Sequence, residues 1–121
     1  ISINGNDMSN DYFLSEEYKI LSIEDSVFPD NYSLGQNYPN PFNPITYINY
    51  SLSLYDLVSI SIYDISGQEV KCLINNTHPP GEYKVTWDGT NNNGLTVSAG
   101  IYYYKMITTE FTSIKKLILL K

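Results

Sequence analysis

Two stretches decide the fold: Ile48-Asn49-Tyr50-Ser51-Leu52 and, six residues on, Val58-Ser59-Ile60-Ser61-Ile62. In both, apolar residues strictly alternate with small polar ones. Side chains along a strand point to opposite faces with a period of two, so each stretch predicts a half-buried strand with one apolar and one polar face.

The same grammar extends downstream. Asp64–Gly67 predicts a turn and Glu69–Ile74 a further strand. Asn75–Gly81 ends in Pro79-Pro80-Gly81, which cannot continue a ladder, and is expected to be a loop. Tyr83, Val85 and Trp87 alternate with Lys84 and Thr86, and Asp88-Gly89 closes that strand. Asn91-Asn92-Asn93-Gly94 favours left-handed backbone angles and a turn, with Leu95–Val97 a short strand after it. Ile101–Thr108 and Phe111–Leu120 are β-branched and aromatic runs joined at Thr109-Glu110 as a hairpin. No amphipathic helix is evident after residue 30. Six or seven short strands with frequent turns predict an all-β fold: an antiparallel immunoglobulin-like or fibronectin III-like β-sandwich of about seven strands.

Upstream the composition changes. Of the 13 acids, seven (Asp7, Asp11, Glu16, Glu17, Glu24, Asp25, Asp30) fall in residues 1–30 against Lys19 alone, a net 1 − 7 = −6. The remaining six acids meet six lysines. Ile1–Asp11 is rich in Asn, Ser, Asp and Gly and reads as linker. Ser15-Glu16-Glu17 could cap a short helix, whereas Tyr18–Ile23 reads equally well as a strand. The expected organisation is an acidic, extended tether over residues 1–22 and a sandwich domain over 23–121.

The 121 residues make one domain's length, and 42% hydrophobic with 14% aromatic content excludes a wholly disordered chain. There is no arginine, and the net charge is −6. That balance argues against a phosphate or nucleic-acid groove, which is normally built from clustered basic side chains. One cysteine, Cys72, excludes an internal disulfide and a cysteine-rich zinc site. No run approaches the ~18 apolar residues of a membrane-spanning helix. No charged-then-apolar leader opens these residues, so Ile1 is expected to be a mature, trimmed or mid-protein start.

Catalytic constellations are hard to assemble from these residues. His78 is the only histidine, expected on a surface loop, and Cys72 is expected half-buried on a strand. Neither has the oriented base–nucleophile relation that covalent catalysis needs. Asp88–Gly94 loosely resembles a calcium loop, but Asn93 stands where the turn glycine belongs and Ala99 where the bidentate acid belongs. Asp88, Asn91 and Asn92 are therefore weak metal candidates, and a tight asparagine turn is the simpler account. No cofactor is indicated. Three Asn-x-Ser/Thr triplets, at Asn31, Asn49 and Asn75, are close to chance in so asparagine-rich a chain. Twelve tyrosines could bury their rings with wet hydroxyls, or stack on sugars as in a carbohydrate-binding module.

Two segments are more specific. In Asn37-Tyr38-Pro39-Asn40-Pro41-Phe42-Asn43-Pro44, three prolines in six positions exclude a helix and force extended geometry. The asparagines can satisfy freed backbone groups, and Tyr38 and Phe42 are expected to anchor the strap where it seals one end of the sandwich. The second segment, Lys115-Lys116-Leu117-Ile118-Leu119-Leu120-Lys121, holds four consecutive apolar residues. In a strand these are apolar on both faces, one for the core and one to be covered or used. Its lysines discourage uncontrolled edge pairing.

Together these segments resemble a known family. Tyr32–Pro44, then Thr46, Ile48 and Tyr50, are similar to the opening of the C-terminal sorting domains of the type IX (Por) secretion system. Those domains in turn are similar to the immunoglobulin-like domain of flagellar hook-capping proteins. The likeness continues through Ile62-Tyr63-Asp64, Pro80-Gly81, Val85–Gly89, Val97–Tyr104 and the Lys115–Lys121 ending, about residues 23–121 in all. The resemblance implies a non-catalytic address label, carried through the periplasm and recognised by an outer-membrane translocon and its sorting machinery. It implies a covalently linked upstream cargo and a destination at the cell surface or beyond. Lys115–Lys121 are the expected recognition residues. The alternatives are a structural assembly subunit, surface-filament or hook-cap-like, exchanging residues 1–30 with a neighbour, and the sugar-binding module.

Overall fold

A computed structural model describes residues 29–120. The expected tether over residues 1–22, the junction to residue 28, and Lys121 lie outside the described residues. Seven strands follow one another: β1 (Ser33–Leu34), β2 (Thr46–Leu52), β3 (Asp56–Tyr63), β4 (Glu69–His78), β5 (Gly81–Trp87), β6 (Gly100–Ile107) and β7 (Thr112–Leu119). They form two sheets, ordered β1-β2-β5 and β4-β3-β6-β7, in which every strand pair is antiparallel. The fold is the all-β, immunoglobulin-like sandwich of seven strands that the alternation predicts.

The inward positions of the period-two stretches make the core. Ile48, Tyr50 and Leu52 of β2 face Val58, Ile60 and Ile62 of β3 across the sandwich, with Trp87, Tyr102, Tyr104, Met106, Leu117 and Leu119 completing it. Each fully buried large side chain contributes about 1.5–3 kcal/mol of transfer free energy. Trp87 sits at the centre of an aromatic cluster, its ring 5.5 Å from Phe42 and 5.3 Å from Tyr102. Its Nε1–H donates to the Thr90 carbonyl at 2.9 Å, so the buried indole is satisfied. Gly89 follows with φ +78°, and a Cβ there would lie 3.6 Å from both Leu119 methyls. The chain thus turns out of β5 directly beneath the last core leucine.

Four sequence expectations are corrected. Asn75–His78 is not a loop: β4 runs through it, pairing Asn75 with Ser59, Asn76 with Val58, Thr77 with Leu57 and His78 with Asp56. β4 is an edge strand, so polar side chains cost little there, and only Pro79-Pro80 breaks the ladder. His78 is therefore not a loop residue. Its ring stacks 4.6 Å from Tyr83 and its Nε2 lies 3.0 Å from the Tyr50 hydroxyl, tying the end of β4 to the opposite sheet. Leu95–Val97 forms no strand, only an isolated bridge from Thr96 to Thr90. Finally, Tyr38 is no apolar anchor, since its side chain is 77% exposed.

The start of the described chain is fixed by Tyr32. Its hydroxyl donates to Asp56 Oδ2 at 2.7 Å, which also accepts from Thr109 Oγ1 at 2.9 Å. The phenol bond holds the Asp56 carboxyl below the usual range, and the same bond pushes Tyr32 up to about 12. A depressed carboxyl contributes stability that is present above its unfolded pKa and fades as pH falls through the folded one. A raised phenol contributes stability that is complete below its unfolded value near 10 and fades as pH climbs towards the folded one. Tyr32→Phe is thus expected to flatten both limbs of the stability profile, below pH ~4 and above ~10. Urea unfolding of both proteins across that range checks it, and parallel profiles would contradict the lock.

Candidate functional site: the clasp between the proline strap and the terminal strand

The strap and the C-terminal strand, more than seventy residues apart in sequence, meet along one edge. β7 borders the β4-β3-β6-β7 sheet, and its pairing with β6 runs from Gly100↔Leu119 to Ile107↔Thr112. In an antiparallel ladder, alternate residues turn both backbone groups to the same side. The outward groups of the upper half of β7 are taken by the strap. Gln36 Nε2 donates to the Lys116 carbonyl at 3.0 Å, and Asn40 Oδ1 accepts the Ile118 N–H at 3.0 Å. Phe42 then bridges Leu119 in parallel sense: its N–H donates to the Ile118 carbonyl at 3.0 Å and its carbonyl accepts the Leu120 N–H at 2.9 Å. The Phe42 ring, 1% exposed, enters the core against Trp87.

A buried polar knot fixes the strap's course. Asn37 is buried; its N–H donates to the Tyr104 hydroxyl oxygen at 2.8 Å, while that hydroxyl donates to the Gly35 carbonyl at 2.7 Å. Burial pushes the Tyr104 phenol up to about 12, keeping it a neutral donor. Asn37 Nδ2 donates to Thr46 Oγ1 at 2.9 Å and to the Pro39 carbonyl at 3.1 Å, and Thr46 Oγ1 donates to the same carbonyl at 2.8 Å. Asn37 thus satisfies the Pro39 carbonyl within the strap, whereas Asn40 spends its side-chain oxygen on β7. Tyr38 joins through its backbone alone, exchanging two 2.9 Å bonds with Tyr47. Pro41, Asn43 and Pro44 are exposed.

This geometry sorts the expected recognition residues. Leu117 and Leu119 are core residues and offer no surface. Lys115, opposite Tyr104, is half-buried on the core-facing side of β7. Lys116 and Ile118, opposite Tyr103 and Ile101, lie on the outer sheet face, and Leu120 is 48% exposed just beyond the strand. Among the described residues of this segment, only Lys116, Ile118, Leu120 and the margin of Lys115 can be touched in the folded domain.

Asp88, Asn91 and Asn92 share one turn, and their oxygens already accept hydrogen bonds. Asp88 Oδ1 takes the Thr90 hydroxyl at 2.6 Å, a bond that holds its carboxyl below the usual range. Asn91 Oδ1 takes the N–H groups of Asn93 and Leu95 at 2.9 and 3.0 Å. Asn92 does something the sequence did not suggest. Its Oδ1 accepts the Cys72 N–H at 3.0 Å and its N–H donates to the Val70 carbonyl at 3.0 Å, covering the edge of β4. Both borders of the four-stranded sheet are thus partly closed, β7 by the strap and β4 by the asparagine turn. Bare edges are templates for pairing with other chains, so each closure limits where a partner can add. Among the described residues, no three His, Cys, Asp or Glu side chains gather as a metal group, and no helix is long and apolar enough to cross a membrane.

The described residues define an immunoglobulin-like domain with clasped sheet edges. Residues 52–110 match the family described as the FlgD Ig-like domain. Among solved structures the chain is similar to dimeric latent PorU from Porphyromonas gingivalis, at 21% identity and a TM-score of 0.61, covering 78% of this chain and 10% of that one. It is also similar to FlgD from Xanthomonas campestris, described for hook capping in flagellar assembly, at 24% identity and a TM-score of 0.51, covering 73% and 66%. A third likeness is to PorZ, a surface component of the type IX secretion system of P. gingivalis, at 19% identity and a TM-score of 0.46, covering 76% and 12%. No curated protein matches the chain. The chain spans about a tenth of the PorU chain, and what these likenesses establish is the fold.

Proposed function

We propose that the chain is a non-catalytic C-terminal sorting domain, read by the type IX outer-membrane translocon to export or surface-anchor an upstream cargo. Residues 1–22 serve as the tether to that cargo, and the route runs through the periplasm to the cell surface or medium. One observation carries the reading: the strap that bears the most specific part of the resemblance closes directly on the expected handle, holding Lys116, Ile118 and Leu120 in fixed register. A handle of this kind needs preorganised side chains on a stable edge, not a catalytic pocket.

The test is export of a reporter fused ahead of this chain in a bacterium that has the system. Lys116→Glu, Ile118→Ser and Leu120→Ser combined leave the core leucines intact. Export is expected to fall about tenfold or more, the loss of ~1.4 kcal/mol of recognition, with unchanged unfolding temperature. Lys84→Glu, exposed on β5 of the other sheet, is expected to leave export intact. Undiminished export of the triple variant would refute the assignment. The hook-capping likeness over residues 52–110 favours a second reading, an assembly subunit. Light scattering separates the two: a chain that stays monomeric at high concentration, with or without residues 1–30, counts against assembly.

A further inference from the structure

The clasp covers only half of β7. The strap takes the Lys116 carbonyl, both backbone groups of Ile118 and the Leu120 N–H. The same alternation turns the N–H and C=O of Thr112 and Ile114, and the N–H of Lys116, away from β6. Among the described residues, none hydrogen-bonds to these groups, and β7 is the last strand of its sheet. A row of alternating backbone donors and acceptors is matched by extended polypeptide, so the occupant of this half-edge is another strand.

The half-edge is complementary to itself. We infer that Thr112–Lys116 pairs with the same segment of a second copy, antiparallel about a two-fold axis at Ile114, joining two four-stranded sheets edge to edge. In that register Ile114 faces Ile114 of the second copy and exchanges two backbone bonds with it. The Lys116 N–H donates to the Thr112 carbonyl of the second copy, and the reverse bond forms by symmetry. The Thr112 N–H meets the Lys116 carbonyl, whose second lone pair is left after the Gln36 bond. The side chains agree with this register. Ile114, 59% exposed on the outer face, meets its own counterpart, while Lys115 faces Ser113 and Lys116 faces Thr112. Centring the pair on Lys115 or Lys116 instead would set lysine against lysine, which is unfavourable directly across a ladder. The ends fit as well. The second copy's β7 begins at Thr112, opposite Lys116, where Gln36 starts the clasp. The turn before it, closed by the Thr108 N–H on the Phe111 carbonyl at 2.8 Å, leads back to its own β6 and so away from the strap. The pairing does not depend on the sorting reading.

Light scattering on the full chain from ~10 μM to ~1 mM tests it, since so short a strand pair is smaller than the ~1,200 Å² of a stable complex and associates weakly. The mass is expected to rise towards two copies, and Lys116 N–H protection to rise with it while Met106 in the sheet interior stays unchanged. Ile114→Pro removes an N–H that β6 does not use. It is expected to weaken association about tenfold or more and to leave the unfolding midpoint nearly in place. Because Ile114 faces its own counterpart, Ile114→Lys and Ile114→Glu are each expected to stay monomeric, and an equal mixture of the two to pair. A chain that is monomeric throughout overturns the inference, as does association that survives Ile114→Pro. Lys116 protection independent of concentration overturns it too, by placing another part of the same chain on the edge. Mass that grows past two copies overturns the closed pair in favour of open-ended assembly.

Discussion

Phe42→Ala is expected to cost about 3–5 kcal/mol, the range for deleting a buried aromatic ring. In a domain of this size that is a large share of the ~5–15 kcal/mol that holds a typical fold together. The effect has two sources. The ring fills the end of the sandwich against Trp87, and its loss leaves a cavity under the chain's only tryptophan. The strap's closing bonds to Ile118 and Leu120 also depend on that ring staying seated. Urea unfolding followed by Trp87 fluorescence reads both, through a lower midpoint and a red-shifted native spectrum. Tyr38→Ala is the internal control. Its ring is exposed and its two bonds are backbone, so it is expected to change stability by less than ~0.5 kcal/mol. Equal losses for the two variants would mean that the strap is not anchored at Phe42.

Tyr104→Phe is expected to destabilise by about 1–3 kcal/mol, because it leaves the buried Asn37 N–H unpaired and takes a donor from the half-buried Gly35 carbonyl. The substitution keeps the ring and its packing, so the loss isolates the hydroxyl. Because the hydroxyl sits at the root of the strap, the variant is also expected to speed exchange at Ile118 and Leu120. Loss of stability with strap exchange unchanged would mean that Tyr104 supports only the core.

The fold was largely legible because five of the seven strands carry period-two or β-branched runs that no helix would share. Thr46–Leu52, Asp56–Tyr63 and Gly81–Trp87 are plain alternation, and Gly100–Ile107 and Thr112–Leu119 are unmistakably β-rich. The second half of β4 was hidden because Asn75–His78 has no apolar side to pattern. An edge strand can be held by its backbone ladder to β3, and composition does not record that. The Phe42 anchor was readable and the Tyr38 one misread, since only burial distinguishes two aromatics four residues apart in a strap. The meeting of strap and terminal strand, and the cover that Asn92 gives β4, depend on how strands divide between sheets. That division is set by long-range packing, which local spacing does not encode. The lysines and apolar residues of the handle were visible, but not which of them the core keeps: Leu117 and Leu119 face inward purely by register with Tyr102 and Gly100.

Exchange at the Leu120 N–H tests the clasp most directly. That amide sits one residue beyond β7, and its single partner is the Phe42 carbonyl. Protection within about tenfold of the Met106 amide is the expected result, with its loss in Phe42→Ala. Exchange at the rate of an unstructured chain end in the parent protein, while Met106 stays protected, would contradict the account.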